Sequence, residues 1–170
     1  MPDLEPAVIA VELGGGEGAR LRWAPRPADN GNDAAPPSPW ELDSEPDWPR
    51  VDSIRLVSAR FDDGGALGAV VARPRGARAH DEDVAVTRLV DAEGELTEGS
   101  EALLSVEYDA DGAPRRIGLE LWPESDSPPL RVAADRAGET ASQDGREAVP
   151  MRFRLDGVNG AGLYEVLRPE

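Results

Sequence analysis

One histidine and no cysteine make up all the imidazole and thiol chemistry in this chain. His80 stands in Arg78-Ala79-His80-Asp81-Glu82-Asp83, between two expected strands. The neighbouring carboxylates favour its protonated form, and it reads as a solvated loop residue. As a general base it would need a nucleophile and an orienting partner, which spacing alone does not supply. A lone histidine without cysteine also argues against zinc. Asp109-Ala110-Asp111-Gly112 opens like a calcium loop. The next two positions, where such a loop needs an oxygen ligand and then glycine, hold Ala113 and Pro114, so a hairpin turn accounts for it better. Asp62-Asp63-Gly64-Gly65 reads the same way, and no metal is expected. The remaining catalytic candidates are Glu107 and Glu120, on strands expected to pair. Pointing inward, they would form a paired-carboxylate acid/base site. Pointing outward, they would be solvated, with Glu120 in reach of Arg115 or Arg116.

The elements that would position these groups follow a period of two. Val8 to Leu13 reads as a strand, Gly14 to Gly18 as a turn, and Ala19 to Trp23 as a second strand with Ala19, Leu21 and Trp23 on one face. The glycine cluster is not a phosphate cradle, because a strand and not a helix N-terminus follows it. Ala24 to Arg50 is aperiodic and rich in Pro, Asp, Asn and Ser, which predicts a long loop. Trp40 and Trp48 lie within it. They either pin that loop to the domain or form a lid over a cavity. Further strands are expected over Ile54–Phe61, Leu67–Ala72, Val84–Val90, Leu103–Tyr108, Ile117–Trp122, Leu130–Ala134, Met151–Leu155 and Gly162–Leu167, with Pro123–Pro129 and Ala137–Ala148 as loops. Arg152 and Arg154, flanking Phe153, read as a solvated strand face. Asp-Gly and Asn-Gly pairs supply the positive φ that tight hairpins need. Only Ala133 to Ala141 holds fair helix formers, and Gly138 weakens it. The pattern predicts an all-β, antiparallel meander forming a barrel or sandwich. It divides into an N-terminal hairpin (1–23), a Pro/Asp-rich loop (24–50) and an antiparallel β-domain (51–170), one structural domain overall.

Composition narrows the function classes. The 170 residues carry a net charge of -16, and all 18 cations are arginine. Such a surface repels phosphate backbones and anionic bilayers, so neither nucleic acid nor membrane is an expected partner. Leu, Ile, Val and Phe number 35, near the level where disorder sets in, so a folded domain with some disordered segments is expected. No stretch is long and apolar enough to span a bilayer. The N-terminus lacks the basic start and apolar run of a signal peptide, which with the missing cysteines gives a cytoplasmic expectation.

Three segments carry a resemblance: VSARFDDGGALGAVV (57–71), LLSVEYDADGAPRRIGLEL (103–121) and GVNGAGLYEVL (157–167). They resemble the C-terminal half of the lipocalin-like hydratase family, which contains carotenoid 1,2-hydratases and AttH-type proteins. The likeness spans roughly two thirds of the chain. It lies in a strand ending in an FDDG turn, a charged hairpin, and a closing strand of the form G-x-G-x-x-E-V-L. The resemblance implies that the antiparallel meander forms a calycin- or lipocalin-like barrel holding an apolar ligand. The family's His/Asp/Trp-rich motif falls here on Ala24 to Trp40, which has no histidine, so no catalytic residue carries over.

The reading that follows is non-enzymatic binding of an apolar small molecule, without a cofactor, with Trp40, Trp48, Tyr108 and Trp122 as expected ligand contacts. One alternative is a hydratase or isomerase using Glu107 or Glu120. Another is a structural domain that forms a homodimer through sheet edges, which an incomplete barrel would need to cover.

Overall fold

Alternating apolar and polar residues extend the backbone, and Gly- and Asp-rich turns reverse it, so every regular element among the described residues is a strand. The computed structural model describes residues 7–13, 16–24, 38–43, 45–76, 84–99, 101–122, 128–143 and 145–168. Among the described residues, thirteen strands occur in two antiparallel sheets.

The larger sheet is a meander that returns on itself. It begins with β4 (Val51–Phe61), β5 (Ala66–Pro74), β6 (Val84–Val90) and β7 (Leu96–Gly99), each paired with the next. It continues with β8 (Glu101–Tyr108), β9 (Pro114–Trp122), β10 (Leu130–Arg136), β12 (Arg146–Leu155) and β13 (Val158–Leu167), while the short β11 (Ala141–Gln143) adds to β12. The last strand pairs back onto the first, from Gly160 opposite Phe61 to Leu167 opposite Ile54. The two ends of this order, β7 and β8, are separated in the chain only by residue 100. The sheet therefore rolls into a nearly closed, lipocalin-like barrel.

Glycines sit where backbones crowd. A Cβ on Gly162 would collide with the Ser58 carbonyl of β4, and one on Gly160 would lie 2.7 Å from the Arg60 carbonyl. At the bend between β7 and β8, a Cβ on Gly99 would lie 2.8 Å from the Trp122 carbonyl and 2.9 Å from Thr87 Oγ1. Bare backbone there lets one strand run serve both β6 and β9. The β12–β13 hairpin turns on Asp156 and Gly157, with φ of 49° and 79°. Two successive positive φ values match the right-handed twist of the flanking strands.

Inward-facing side chains of eight strands close into one apolar cluster, including Val57, Phe61, Leu67, Ile117, Met151 and Phe153. A second cluster lies outside the barrel wall. There a three-stranded sheet of β1 (Ala7–Leu13), β2 (Gly16–Trp23) and β3 (Trp40–Leu42) covers the outer face of β4, β5 and β13. Its Ile9, Val11, Leu21, Trp23 and Trp40 meet Ile54, Leu56, Val70 and Leu167. Coverage on both faces explains the unbroken apolar run of β5, which does not alternate. Trp23 and Trp40 stack with ring centroids 5.9 Å apart, and Trp23 Nε1 donates to Ser58 Oγ at 3.0 Å. Each indole removes about 200 Å² from water, on the order of 5 kcal/mol before ordering entropy.

The structure corrects the loop assignments in part. The segment 24–50, expected to be loop, contains β3, whose Trp40 and Leu42 pair with Trp23 and Leu21 of β2. The segment 137–148 contains β11 and the start of β12, and Leu96–Gly99 forms β7. These short strands are extended by their partners and not by their own pattern. The residues expected as loop at 25–37 and 123–127 lie outside the described residues. No helix among the described residues is long and apolar enough to cross a membrane.

Candidate functional site

At one end of the barrel, the apolar stripes of three adjacent strands each run out into arginine. On β4 the inward series Phe61, Ala59, Val57 continues to Arg55; on β5 the series Leu67, Ala69, Val71 continues to Arg73. On β13 the series Tyr164, Val166 continues to Arg168. Register aligns them: Val166 faces Arg55, and Arg73 faces Ser53. The three cations surround a pocket of about 480 Å³, which Tyr108 at the end of β8 reaches from across the barrel. The Tyr164 ring and Val166 supply its apolar wall, and Ser53 and Asp52 complete it. Asp52 also faces Arg75, whose Nη1 lies 3.9 Å from Asp52 Oδ1.

Tyr164 is buried. Burial pushes its phenol up to about 12, against the downward pull of Arg55, which hydrogen-bonds it, and of Arg168; nearby Tyr108 pushes in the same direction as burial. The phenol is therefore a neutral donor at physiological pH, set among guanidinium groups that are always charged. A pocket of this size is typical of small-molecule sites.

A second polar cluster is closed and lies under the N-terminal sheet. Glu165 of β13 points outward and is buried. Its Oε1 accepts from Arg146 Nε and Nη2, each at 2.8 Å, and its Oε2 accepts from Ser38 Oγ at 2.8 Å. Arg146 Nη2 also donates to Ser38 Oγ and, at 3.1 Å, to the Trp40 carbonyl. The Arg146–Glu165 pair lies within the barrel, between β12 and β13, and its contacts with Ser38 and the Trp40 carbonyl join the barrel to the segment carrying β3, so this cluster acts as a clasp between sheets and not as an open site.

The residues singled out from sequence fall in separate places. Glu107 faces outward, its carboxylate 3.7 Å from Arg115 Nη2 and 4.0 Å from Arg116 Nη1, all more than half exposed. Glu120 is also on the outer face, opposite Leu103 of β8 and Arg131 of β10. Leu103 and Glu107 are four residues apart on one strand, about 13 Å, so the two carboxylates do not form a pair. Tyr108 lines the pocket. Trp40 is buried in the sandwich, Trp48 packs at its margin, and Trp122 lies partly exposed on β9. Arg152 and Arg154 are exposed, as expected. His80 lies outside the described residues.

Asp109 caps its hairpin: Oδ1 accepts from the backbone N–H of Asp111 and Ala113, and Oδ2 accepts from Arg136 Nη1 at 2.7 Å. Arg55, Arg73, Arg168 and Tyr164 were missed. The readable signal was a polar residue at the inward parity of three strands, each at the same end of its apolar stripe.

No protein-family model matches this chain, and no curated protein matches it by sequence. Among solved structures, it is similar to a crystal structure of a candidate AttH protein from Nitrosomonas europaea. The TM-score is 0.56 at 20% identity, over 75% of this chain and 42% of that one. The likeness is one of fold, and the chain spans less than half the length of that protein.

Proposed function

We propose that this chain is a non-enzymatic binding barrel that takes a small molecule with an apolar body into the pocket at the barrel end. The observation that carries this reading is the pocket itself, a cavity of about 480 Å³ bounded by Tyr164, Tyr108 and Val166. Descent from the lipocalin-like hydratase family accords with the barrel and with the quoted motifs. The outward placement of Glu107 and Glu120 favours binding over hydration, since neither carboxylate reaches the cavity wall.

A thermal-shift screen with fatty acids and terpenoids tests the reading. A ligand at a hundred times its Kd stabilises the native state by about 2.7 kcal/mol. For a chain of this size that raises Tm by about 5–10 °C. Absence of any shift at saturating concentrations counts against it. A second reading, dimerisation along β8, draws on that strand's pairing with β9 alone among the described strands and on the exposed Leu103. Sedimentation equilibrium returning only the monomer mass would remove it.

A further inference from the structure

Flat groups wall the mouth of the barrel. Of the side chains lining the pocket, two are phenols (Tyr108 and Tyr164) and three are guanidinium groups; among the described residues Val166 alone is aliphatic. A guanidinium whose edge is already partnered, as that of Arg55 is by the Tyr164 hydroxyl, still presents a planar face that stacks on rings. What the wall offers therefore holds whichever partners the arginine edges take. A long aliphatic tail finds no such fit. Below the pocket the bore is filled: Val57, Val71, Ile117, Val149 and Met151 are each at most 2% exposed within one apolar cluster. A tail has no tube to enter, so the ligand must be compact enough to stay within about 480 Å³. Tyr108 enters from the opposite wall. The pairing of β8 with β9 slips by one residue between Glu107 and Tyr108, and such a bulge bends the strand end. At 58% exposure the Tyr108 side chain has surface free, and its phenol lies close enough to add to the upward push that burial gives Tyr164. A ring seated there would cover aromatic surface that water now wets.

We infer that the pocket selects a compact, planar aromatic molecule, which stacks on Tyr108 and on the Arg168 guanidinium over a floor of Tyr164 and Val166. The inference rests on the pocket being the binding site and adds the shape and chemical class of its ligand. Tyr108 is then the residue that determines specificity. Arg168 suits a stacking role, since it is exposed just beyond β13 while its backbone N–H is held by the Gly145 carbonyl at 3.0 Å.

Three alcohols of one carbon count separate the outcomes: naphthol, its fully saturated analogue decahydronaphthol, and decanol, titrated into the full chain by isothermal calorimetry. The expected result is naphthol tightest, by about fivefold or more over the saturated analogue, as an aromatic contact beyond buried area predicts. Area burial alone would order that pair the other way, because the saturated rings are the more hydrophobic. Tyr108→Leu keeps apolar bulk at an exposed position and removes the ring. It should weaken naphthol about fivefold and leave decahydronaphthol unchanged. Tyr108→Phe should keep the wild-type affinity, which assigns the effect to the ring and not to the hydroxyl. Decahydronaphthol or decanol binding as tightly as naphthol overturns the aromatic inference while leaving the binding reading in place. Naphthol affinity unchanged by both Tyr108→Leu and Arg168→Met, each shown folded by circular dichroism, overturns it too, as does an equal loss in Tyr108→Phe and Tyr108→Leu. If none of the three probes binds, the pocket is not the binding site and both readings fall.

Discussion

Replacing Arg146 with alanine should destabilise the barrel at β12–β13 and loosen the N-terminal sheet that it contacts through Ser38 and the Trp40 carbonyl. Glu165 is 1% exposed and accepts from Arg146 through two nitrogens at 2.8 Å, while the same guanidinium holds the Trp40 carbonyl at 3.1 Å. Without Arg146, the buried carboxylate keeps only the Ser38 hydroxyl, and the Trp40 carbonyl loses a donor. Breaking a buried ion pair from one side costs about 3–5 kcal/mol. The Arg146 side chain is 28% exposed, so water can replace part of what is lost, and the low end, about 3 kcal/mol, is expected. With Tm falling about 2–4 °C per kcal/mol at this chain length, the loss should be about 6–12 °C. Urea titration followed by tryptophan fluorescence measures it directly, because Trp23 and Trp40 lie in the interface being loosened. The double variant Glu165→Leu with Arg146→Met should recover most of the loss, since apolar replacement of both partners is close to neutral. A loss below about 1 kcal/mol for Arg146→Ala, the range of surface ion pairs, would refute the clasp argument.

Other expectations concern the tryptophan pair and two ionisable groups. Trp40 Nε1 is buried with no acceptor among the described residues, whereas Trp23 Nε1 bonds Ser58. Trp40→Phe should therefore be milder than Trp23→Phe by about 1 kcal/mol in denaturant unfolding. Asp109 is held below its usual carboxylate range by Arg136 first and then by the backbone N–H of Ala113. Its folded-state stabilisation is present above pH 3.8 and lost as pH falls through the depressed value; carbon-detected NMR titration should show that midpoint rise in Arg136→Ala. For Tyr164, raised to about 12 mainly by burial, the fold favours the neutral phenol. Its contribution is complete below pH 10 and declines between 10 and 12, so ultraviolet titration should show one phenol ionising near 12, and an unfolding free energy that does not fall across that window would contradict the assignment.

The fold was legible because its cues are local. Asp156-Gly157 announces a tight turn, and the alternation of Met151, Phe153 and Leu155 against Arg152 and Arg154 announces a strand with one wet face. The sequence was silent on β3, because Trp40-Glu41-Leu42 is extended only by pairing with β2. It was equally silent on the pocket. Arg55, Arg73 and Arg168 are far apart in the chain and look like ordinary surface charges until closure of β13 on β4 brings their strand ends together. Glu107 and Glu120 drew attention through hairpin proximity, yet parity put both on the outer face.

The closure of β13 on β4 also bears on how the chain is made. Ile54 must wait for Leu167, so during synthesis β4 leaves the ribosome long before the strand that pairs with it. Until then one backbone edge of β4 is open and can recruit the wrong neighbour. Crowding of Gly162 against Ser58 adds selectivity to that late step, since only a strand bare at that position can lie so close. Nascent chains stalled before β13 should therefore be the species most in need of chaperones.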